Sequence, residues 1–322
     1  MNSTDLKIVF MGTPEFAVEI LKGLVEEGYQ VVGVVTAPDK PSGRGQKIQE
    51  SEVKKYALAH SLKVLQPEKL KNQLFIEELK ALDADLQIVV AFRMLPEQVW
   101  RMPKLGTFNL HASLLPQYRG AAPINWAIIN GDEKTGLTTF LIDAEIDTGK
   151  ILLKKEIEIK KTDSAGDLHD RMMIAGAKLV QETIEMIAIG NINPVTQDSL
   201  IQSITEIKPA PKIFKDDCRI KWDLPGERIY NFIRGLSPFP GAWTNILNKE
   251  TGKILNLKVF ESEWIPIFHK DKIGTLKADK NKLNVAVENG YISLIVLQLE
   301  GKKKLKIDEF LRGYSVDNQI LV

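Results

Sequence analysis

Leu6-Lys-Ile-Val-Phe-Met11, then Glu15-Phe-Ala-Val-Glu-Ile-Leu-Lys-Gly-Leu-Val-Glu-Glu-Gly28, then Val31-Val-Gly-Val-Val-Thr36 follow one another with only Gly12-Thr13-Pro14 and Tyr29-Gln30 between them. The first and third runs are short and almost wholly apolar, as strands are when both faces of a sheet are covered. Between them Phe16, Ile20, Leu21, Leu24 and Val25 recur at helical spacing. Thr13 and Pro14 stand where an N-cap and a first helical residue belong, and Gly28 stands where a helix closes. The same rhythm continues: a helix over 51–60, a strand over 63–66, a helix over 67–82 opened by Pro67, and a strand over 85–92. A strand over 107–111, a helix over 124–130, strands over 137–143 and 151–159 and a long helix over 163–190 follow. The expected fold is α/β, a Rossmann-like parallel sheet with helices on both faces, whose ligands sit beyond the carboxyl ends of the strands.

Length and composition bound the rest. At 322 residues the chain is too long for one ordinary core. We expect a catalytic domain over 1–190, a polar linker over 191–208 that includes Pro194, and a second domain over 209–322. There, short strands over 244–247, 254–260, 274–276, 283–287 and 291–299, separated by turn residues, suggest a small β-barrel. The 44% hydrophobic and 26% charged content is that of a soluble globular protein. No apolar run nears the ~18 residues of a membrane span, and the first residues enter a strand without a signal-peptide core. A single cysteine, Cys218, forbids an intramolecular disulfide and points to a reducing cytoplasm. Lying in Lys215-Asp-Asp-Cys-Arg219, it reads as inert rather than nucleophilic. The net charge of +1 hides an asymmetry: residues 1–206 carry 23 Lys and Arg against 28 Asp and Glu, residues 207–322 carry 20 against 14. The second half is basic, which suits a phosphate-contacting surface.

Chemistry concentrates in Thr107-Phe-Asn-Leu-His-Ala-Ser-Leu-Leu-Pro-Gln-Tyr-Arg-Gly-Ala-Ala-Pro123. On a strand, positions i and i+2 share a face, so Asn109 and His111 point the same way. An amide beside an imidazole suits a reaction that passes through an oxyanion; a satisfied structural pair near a turn explains the same residues. Asp147, in Asp143-Ala-Glu-Ile-Asp-Thr-Gly-Lys150, either orients the imidazole and moves protons or bonds its own backbone as a turn residue. Residues 37–47 hold two prolines and two glycines with Lys40, Arg44 and Lys47, either a basic ligand loop or a solvated one. Lys302, Lys303, Lys304 and Lys306 divide in the same way between a solvated face and a nucleic-acid contact. Dinucleotide binding is disfavoured, because Gly12 is the lone glycine of its turn and Glu15 would face the pyrophosphate. No Walker loop, His-Glu-x-x-His or Cys-x-x-Cys occurs, and four scattered histidines with one cysteine make a metal site unexpected.

Asn109-Leu-His111-Ala-Ser-Leu-Leu-Pro116, Arg119-Gly-Ala-Ala-Pro123 and Asp143-x-x-x-Asp147-Thr-Gly149, in this order and spacing, resemble the 10-formyltetrahydrofolate-dependent formyltransferase family. Gly12-Thr-Pro-Glu-Phe16, the Gly-Arg-Gly loop, the 212–222 segment and Gly235-Leu-Ser-Pro-Phe-Pro-Gly-Ala-Trp243 extend the likeness along the whole chain, to the members whose acceptor is initiator methionyl-tRNA. The resemblance implies catalytic roles for Asn109, His111 and Asp147. It implies 10-formyltetrahydrofolate as donor, without a metal, in a site of Ser113, Leu114, Leu115 and Pro116 with Phe92, Met94, Leu95 and Asp143. It further implies an OB-like second domain gripping tRNA, with contacts from Arg44, Lys47, Lys302, Lys303 and Lys304, in a monomeric cytoplasmic enzyme. The chain departs from the family pattern at Val90-Ala-Phe-Arg-Met-Leu-Pro96, one residue shorter, with Arg93 where glycine is common. Two other readings compete. A formyltransferase or hydrolase with a small acceptor would need no basic second domain, and a non-catalytic RNA-binding protein would be expected to lose Asn109, His111 or Asp147.

Overall fold

The first apolar run forms β1 (Ile8–Gly12), with every residue buried. The 3.6-residue pattern after it forms α1 (Glu15–Glu26), which turns Phe16, Ala17, Ile20, Leu21 and Leu24 inward. Pro14 is the last extended residue before the helix and no side chain caps it, so Thr13 does not take the N-cap role expected of it. Gly28 follows the last turn at φ +76°, the left-handed stop that glycine takes without strain.

The computed structural model describes residues 2–42, 47–201 and 206–322. Among them two compact units separate: one runs to Gly120 and adds Thr135–Glu158 and His169–Pro209, the other comprises Ala121–Lys134, Ile159–Leu168 and Ala210–Val322. The first unit continues with β2 (Val31–Val35), the paired β3 (Lys40–Ser42) and β4 (Lys47–Gln49), α2 (Glu52–Ala59), β5 (Val64–Leu65), α3 (Gln73–Lys80), β6 (Leu86–Val90), α4 (Glu97–Trp100) and β7 (Thr107–His111). After α5 (Pro123–Ile129), in the second unit, come β8 (Lys134–Leu141), β9 (Ile151–Glu158), the long α6 (Ala165–Ala188) and α7 (Gln197–Ile201).

Among the described residues the sheet order is β5-β2-β1-β6-β7-β8-β9. The first five strands are parallel, but β8 runs antiparallel to β7, so the sheet is mixed rather than wholly parallel. Alternation along a strand tells which face each side chain takes and is silent about chain direction. Helix α3 is shorter than the expected 67–82: it starts where the Asn72 side chain accepts hydrogen bonds from the backbone N–H groups of Leu74 and Phe75, at 2.9 and 3.4 Å. The 191–208 stretch is not featureless either, because Val195 bridges Ile151 and α7 follows. Val9, Met11, Val35 and Val89 pack with Phe75, Leu79 and Val99 on one face of the sheet. On the other face α1 meets α6 closely at Gly23, whose carbonyl accepts a bond from Gln181 at 3.0 Å. Each buried Leu, Ile or Phe there stabilises the fold by about 1.5–3 kcal/mol.

The second unit adds α8 (Gly226–Gly235), β10 (Ala242–Asn248), β11 (Ile254–Ile265), β12 (Leu276–Ala278), β13 (Leu283–Val287), β14 (Gly290–Leu299), β15 (Leu305–Lys306), α9 (Ile307–Gly313) and β16 (Gln319–Leu321). Its strands pair antiparallel in the order β12-β13-β14-β11-β10-β16, with β15 on β14. This is the small near-barrel expected, extended by two short strands the turn pattern did not reveal. Register shifts around Glu261 bend β11, as bulges do. The sheet closes over Leu257, Val259, Val285, Ile292 and Leu297, and α8 adds Ile229 and Ile233 to that core. Helix α5 seats against α8, with the Asn125 amide donating to the Gly235 carbonyl at 2.8 Å.

Candidate active site

Val89, Asn109 and Phe140 are register neighbours on β6, β7 and β8, so their side chains stand side by side on one face of the sheet. They form the floor of a cavity of about 180 Å³. One wall is the turn after β6, with Arg93, Met94 and Leu95; the other is the loop after β8, with Ile142, Asp143, Glu145, Ile146 and Asp147. The Asn109 side-chain oxygen is buried without a hydrogen-bond partner. A buried amide oxygen in that condition costs about 1–3 kcal/mol, so its position at a cavity marks a place where a ligand completes the bonding.

His111, two residues on and 6% exposed, packs its ring edge-on to Phe140. Its Nε2 lies 2.8 Å from the Tyr118 carbonyl oxygen. A carbonyl only accepts, so Nε2 carries the proton and Nδ1 is the nitrogen left for chemistry. Nδ1 faces Asp147 Oδ2 at 3.8 Å, a gap that an ion pair spans and a hydrogen bond does not. The same carboxylate oxygen accepts the Gly120 N–H at 2.9 Å. Asp147 thus does not spend its side chain on its own turn. The turn is held instead by Asp143, whose Oδ1 accepts from the Glu145 N–H at 3.1 Å and the Thr148 hydroxyl at 2.8 Å. Asp147 adopts φ +57°, and a β-carbon at Gly149 would run into the Leu141 carbonyl oxygen, so backbone shape demands glycine there.

The structure brings together Asn109, Asp143, Asp147, Met94 and Leu95 at the cavity and leaves His111 outside its lining, 3.8 Å from the lining residue Asp147. It does not bring Ser113, Leu114, Leu115 or Pro116 to its lining. The Ser113 hydroxyl is spent on the Gln117 carbonyl at 2.6 Å, and Leu115 is fully buried against Phe140 and Ile151. Phe92 packs into the core beside Leu95 and Val99. Arg93 is among the lining residues, its guanidinium donates to the Pro67 and Glu68 carbonyls, and burial pulls its pKa down. Arg44 lies outside the described residues, and of Lys47 only the backbone in β4 is described. Lys302, Lys303 and Lys304 are exposed between β14 and β15, with the Lys304 ammonium 4.3 Å above the Phe260 ring. Among the described residues no cluster of His, Cys, Asp and Glu is arranged to hold a metal ion.

Sequence reasoning missed Gln197. Only 2% exposed, it donates to the carbonyls of Asp147 and Gly149, each at 2.9 Å, and accepts from Arg119 Nε and a terminal guanidinium nitrogen at 3.0 and 2.7 Å. No pattern in the polar stretch around it sets it apart from a solvated glutamine.

Comparison with known proteins places the chain in a family. The Formyl transferase family matches residues 6–184, and the Formyl transferase, C-terminal domain family matches residues 212–315. A methionyl-tRNA formyltransferase of Bacteroides thetaiotaomicron is 56% identical over 319 residues, covering 99% of this chain and 98% of its own. One of Flavobacterium johnsoniae is 51% identical over 317 residues, 98% of this chain and 99% of its own. Among solved structures, the N-formyltransferase of Helicobacter canadensis, in complex with folinic acid and dTDP-3-aminofucose, shares the fold at 19% identity and a TM-score of 0.61, over 93% of this chain and all of its own. HypX of Aquifex aeolicus, in complex with tetrahydrofolic acid, shares it at 17% identity and a TM-score of 0.64; this chain spans about half of HypX, 47%, over 96% of its own length.

Proposed function

This chain belongs to the formyl transferase family, and we propose that it moves the formyl group of 10-formyltetrahydrofolate onto the α-amine of initiator methionyl-tRNA, as a monomer in the cytoplasm. The observation that carries the reading is the meeting of the Asn109 side chain, a cavity, and a His111–Asp147 pair 3.8 Å apart. Relatives at 51–57% identity over nearly their whole length bear the name methionyl-tRNA formyltransferase, which supports the acceptor. Among the described residues no helix is long and apolar enough to cross a membrane.

The cavity suits the donor's head group. Its lining is apolar at Val89, Leu95, Phe140 and Ile142 and polar at Asn109, Asp143 and Asp147, and the Asn109 oxygen has no partner. Met94, Leu95 and Asp143 hold the group directly; Ser113, Leu114, Leu115 and Pro116 shape the loop that carries the His111 partner. When bound, the donor supplies a formyl carbon open to attack by an amine. Asn109 donates from its amide nitrogen to the oxygen that gains charge during attack, a contribution of about 3–4 kcal/mol in comparable sites, while its unpaired oxygen is left to accept from the donor's head group. His111, fixed at Nε2, presents Nδ1 toward Asp147 and stabilises the same charge once protonated. Asp147 takes the proton shed by the attacking amine. A new C–N bond forms as the bond to the folate nitrogen breaks, and that nitrogen is protonated on departure. The amine is itself the nucleophile, so no activated serine or cysteine is required.

In the second unit, Arg219, Trp243 and Lys258 adjoin across neighbouring strands, and Lys304 stacks on Phe260. Cations interleaved with rings suit an RNA backbone and its bases. With Lys302 and Lys303, next to Lys304 in sequence, they make up the second unit's tRNA contacts in this reading, and Arg44 and Lys47 are proposed to add to them. Incubation with 10-formyltetrahydrofolate and methionyl-tRNA, scoring the aminoacyl ester for a blocked amine, tests it. Blocked methionyl-tRNA is the expected product; formyl transfer only to a small amine would turn the assignment to a small-acceptor formyltransferase.

A further inference from the structure

Asn109 and His111 come from β7 and Asp147 from the loop after β8, the 118–120 loop holds His111 in place, and one side chain outside all of these ties the two loops together. Gln197 opens α7, in the stretch that composition suggested was a linker. Two residues before it, Val195 exchanges backbone hydrogen bonds with Ile151 at 2.8 and 2.9 Å, so the segment is anchored to the edge of β9. From that anchor Gln197 uses every hydrogen-bonding position its amide has. Both N–H groups go to the carbonyls on either side of Thr148, and the oxygen takes two N–H groups from Arg119. Gln197 itself is 2% exposed, and its bond to the Gly149 carbonyl is wholly buried.

What the amide grips is the backbone that aims the reacting groups. Asp147 sits at φ +57°, a conformation costing a non-glycine residue about 1–2 kcal/mol, and its carbonyl is one of the two held. Arg119 lies between Tyr118, whose carbonyl holds His111 Nε2, and Gly120, whose N–H holds Asp147 Oδ2. One glutamine therefore governs both ends of the 3.8 Å separation between imidazole and carboxylate. A change of a few tenths of an ångström decides whether those groups pair, and reaction rates follow geometry on that scale. We propose that Gln197 is a positioning residue for the transfer reaction, setting the His111–Asp147 distance by clamping the 118–120 and 147–149 loops to one amide. This rests on the reading of His111 and Asp147 as the reacting pair.

The test is Gln197→Glu, which keeps shape and the Arg119 contact but replaces the one NH2 group that makes both donations by an oxygen facing two carbonyls. Turnover should fall about 10- to 100-fold, with KM for methionyl-tRNA and the Kd for tetrahydrofolate, titrated by intrinsic fluorescence, within about threefold of wild type. In an Asp147→Asn background the same substitution should cost less than about threefold, because the group it aims is already gone; a merely structural residue would lower both backgrounds equally. Equal losses in the two backgrounds, or an unchanged turnover in the single variant, would overturn the clamp. If Gln197→Glu fails to fold, Arg119→Met, which frees the other side of the amide, is put through the same pair of backgrounds with the same criterion. A wild type that formylates some other amine would refute the acceptor and leave the clamp to be measured with that amine.

Discussion

At the scale of single residues the site is a question of which polar atoms are already satisfied. His111 has one nitrogen committed to a backbone carbonyl, Asp147 has one oxygen on a backbone N–H, and Asn109 has a buried oxygen with nothing. Asn109→Ala should lower kcat by about 10²–10³, the loss typical of one oxyanion donor, with little change in tetrahydrofolate affinity. His111→Ala should likewise depress turnover by about 10²–10⁴ while the donor Kd moves severalfold at most. Single-turnover rates beside equilibrium titrations separate the two, and equal losses in both would make His111 a binding residue. The pair was legible in the chain because a strand has a period of two. Gln197 was not: a glutamine with all four positions filled is written with the same letter as one in water. Cys218 gives a contrasting case, read as inert from its local sequence Lys215-Asp-Asp-Cys-Arg219. It is 1% exposed, its Sγ donates to the Phe214 carbonyl at 3.2 Å, and burial first and Asp217 second push its thiol up. Native protein should therefore react with a thiol-directed disulfide reagent slowly at pH 8, and denatured protein within minutes; fast native labelling at pH 8 would show an accessible thiolate.

At the scale of elements, β1, α1 and β2 were readable because nearly every residue in them obeys one period, and short joints leave the chain one way to pack. The direction of β8 was not readable, since its apolar alternation is the same run either way. That direction matters to the site: it sets Phe140 beside Asn109 and delivers the 142–149 loop over the cavity. The loop returns to the sheet through Gly149, packed on the Leu141 carbonyl. Gly149→Ala has no room and should destabilise the fold by about 2 kcal/mol or more, with kcat falling further because Asp147 is two residues away. Chemical denaturation with a parallel activity assay checks both, and an alanine variant of wild-type stability would mean that the turn can open without consequence.

At the scale of the molecule the proposed reacting groups fall in the acidic stretch, residues 1–206, and the Arg219–Trp243 and Lys304–Phe260 pairs fall in the basic stretch, residues 207–322. If Lys302, Lys303 and Lys304 meet phosphates, their contribution is counterion release, which salt opposes in proportion to the number of contacts. The specificity constant kcat/KM for methionyl-tRNA should then fall steeply as salt rises, while the tetrahydrofolate Kd stays nearly flat. Replacing the three lysines by glutamine should weaken tRNA binding and make the logarithmic salt slope shallower by about 0.7–0.9 for each lysine that touches a phosphate. The rate at saturating tRNA should be preserved, because binding energy of this kind is shared by ground and transition states. A triple variant with an unaltered slope would assign these lysines to solvent, and the search for the phosphate contacts would move to Arg219 and Lys258, which adjoin Trp243 on the same sheet.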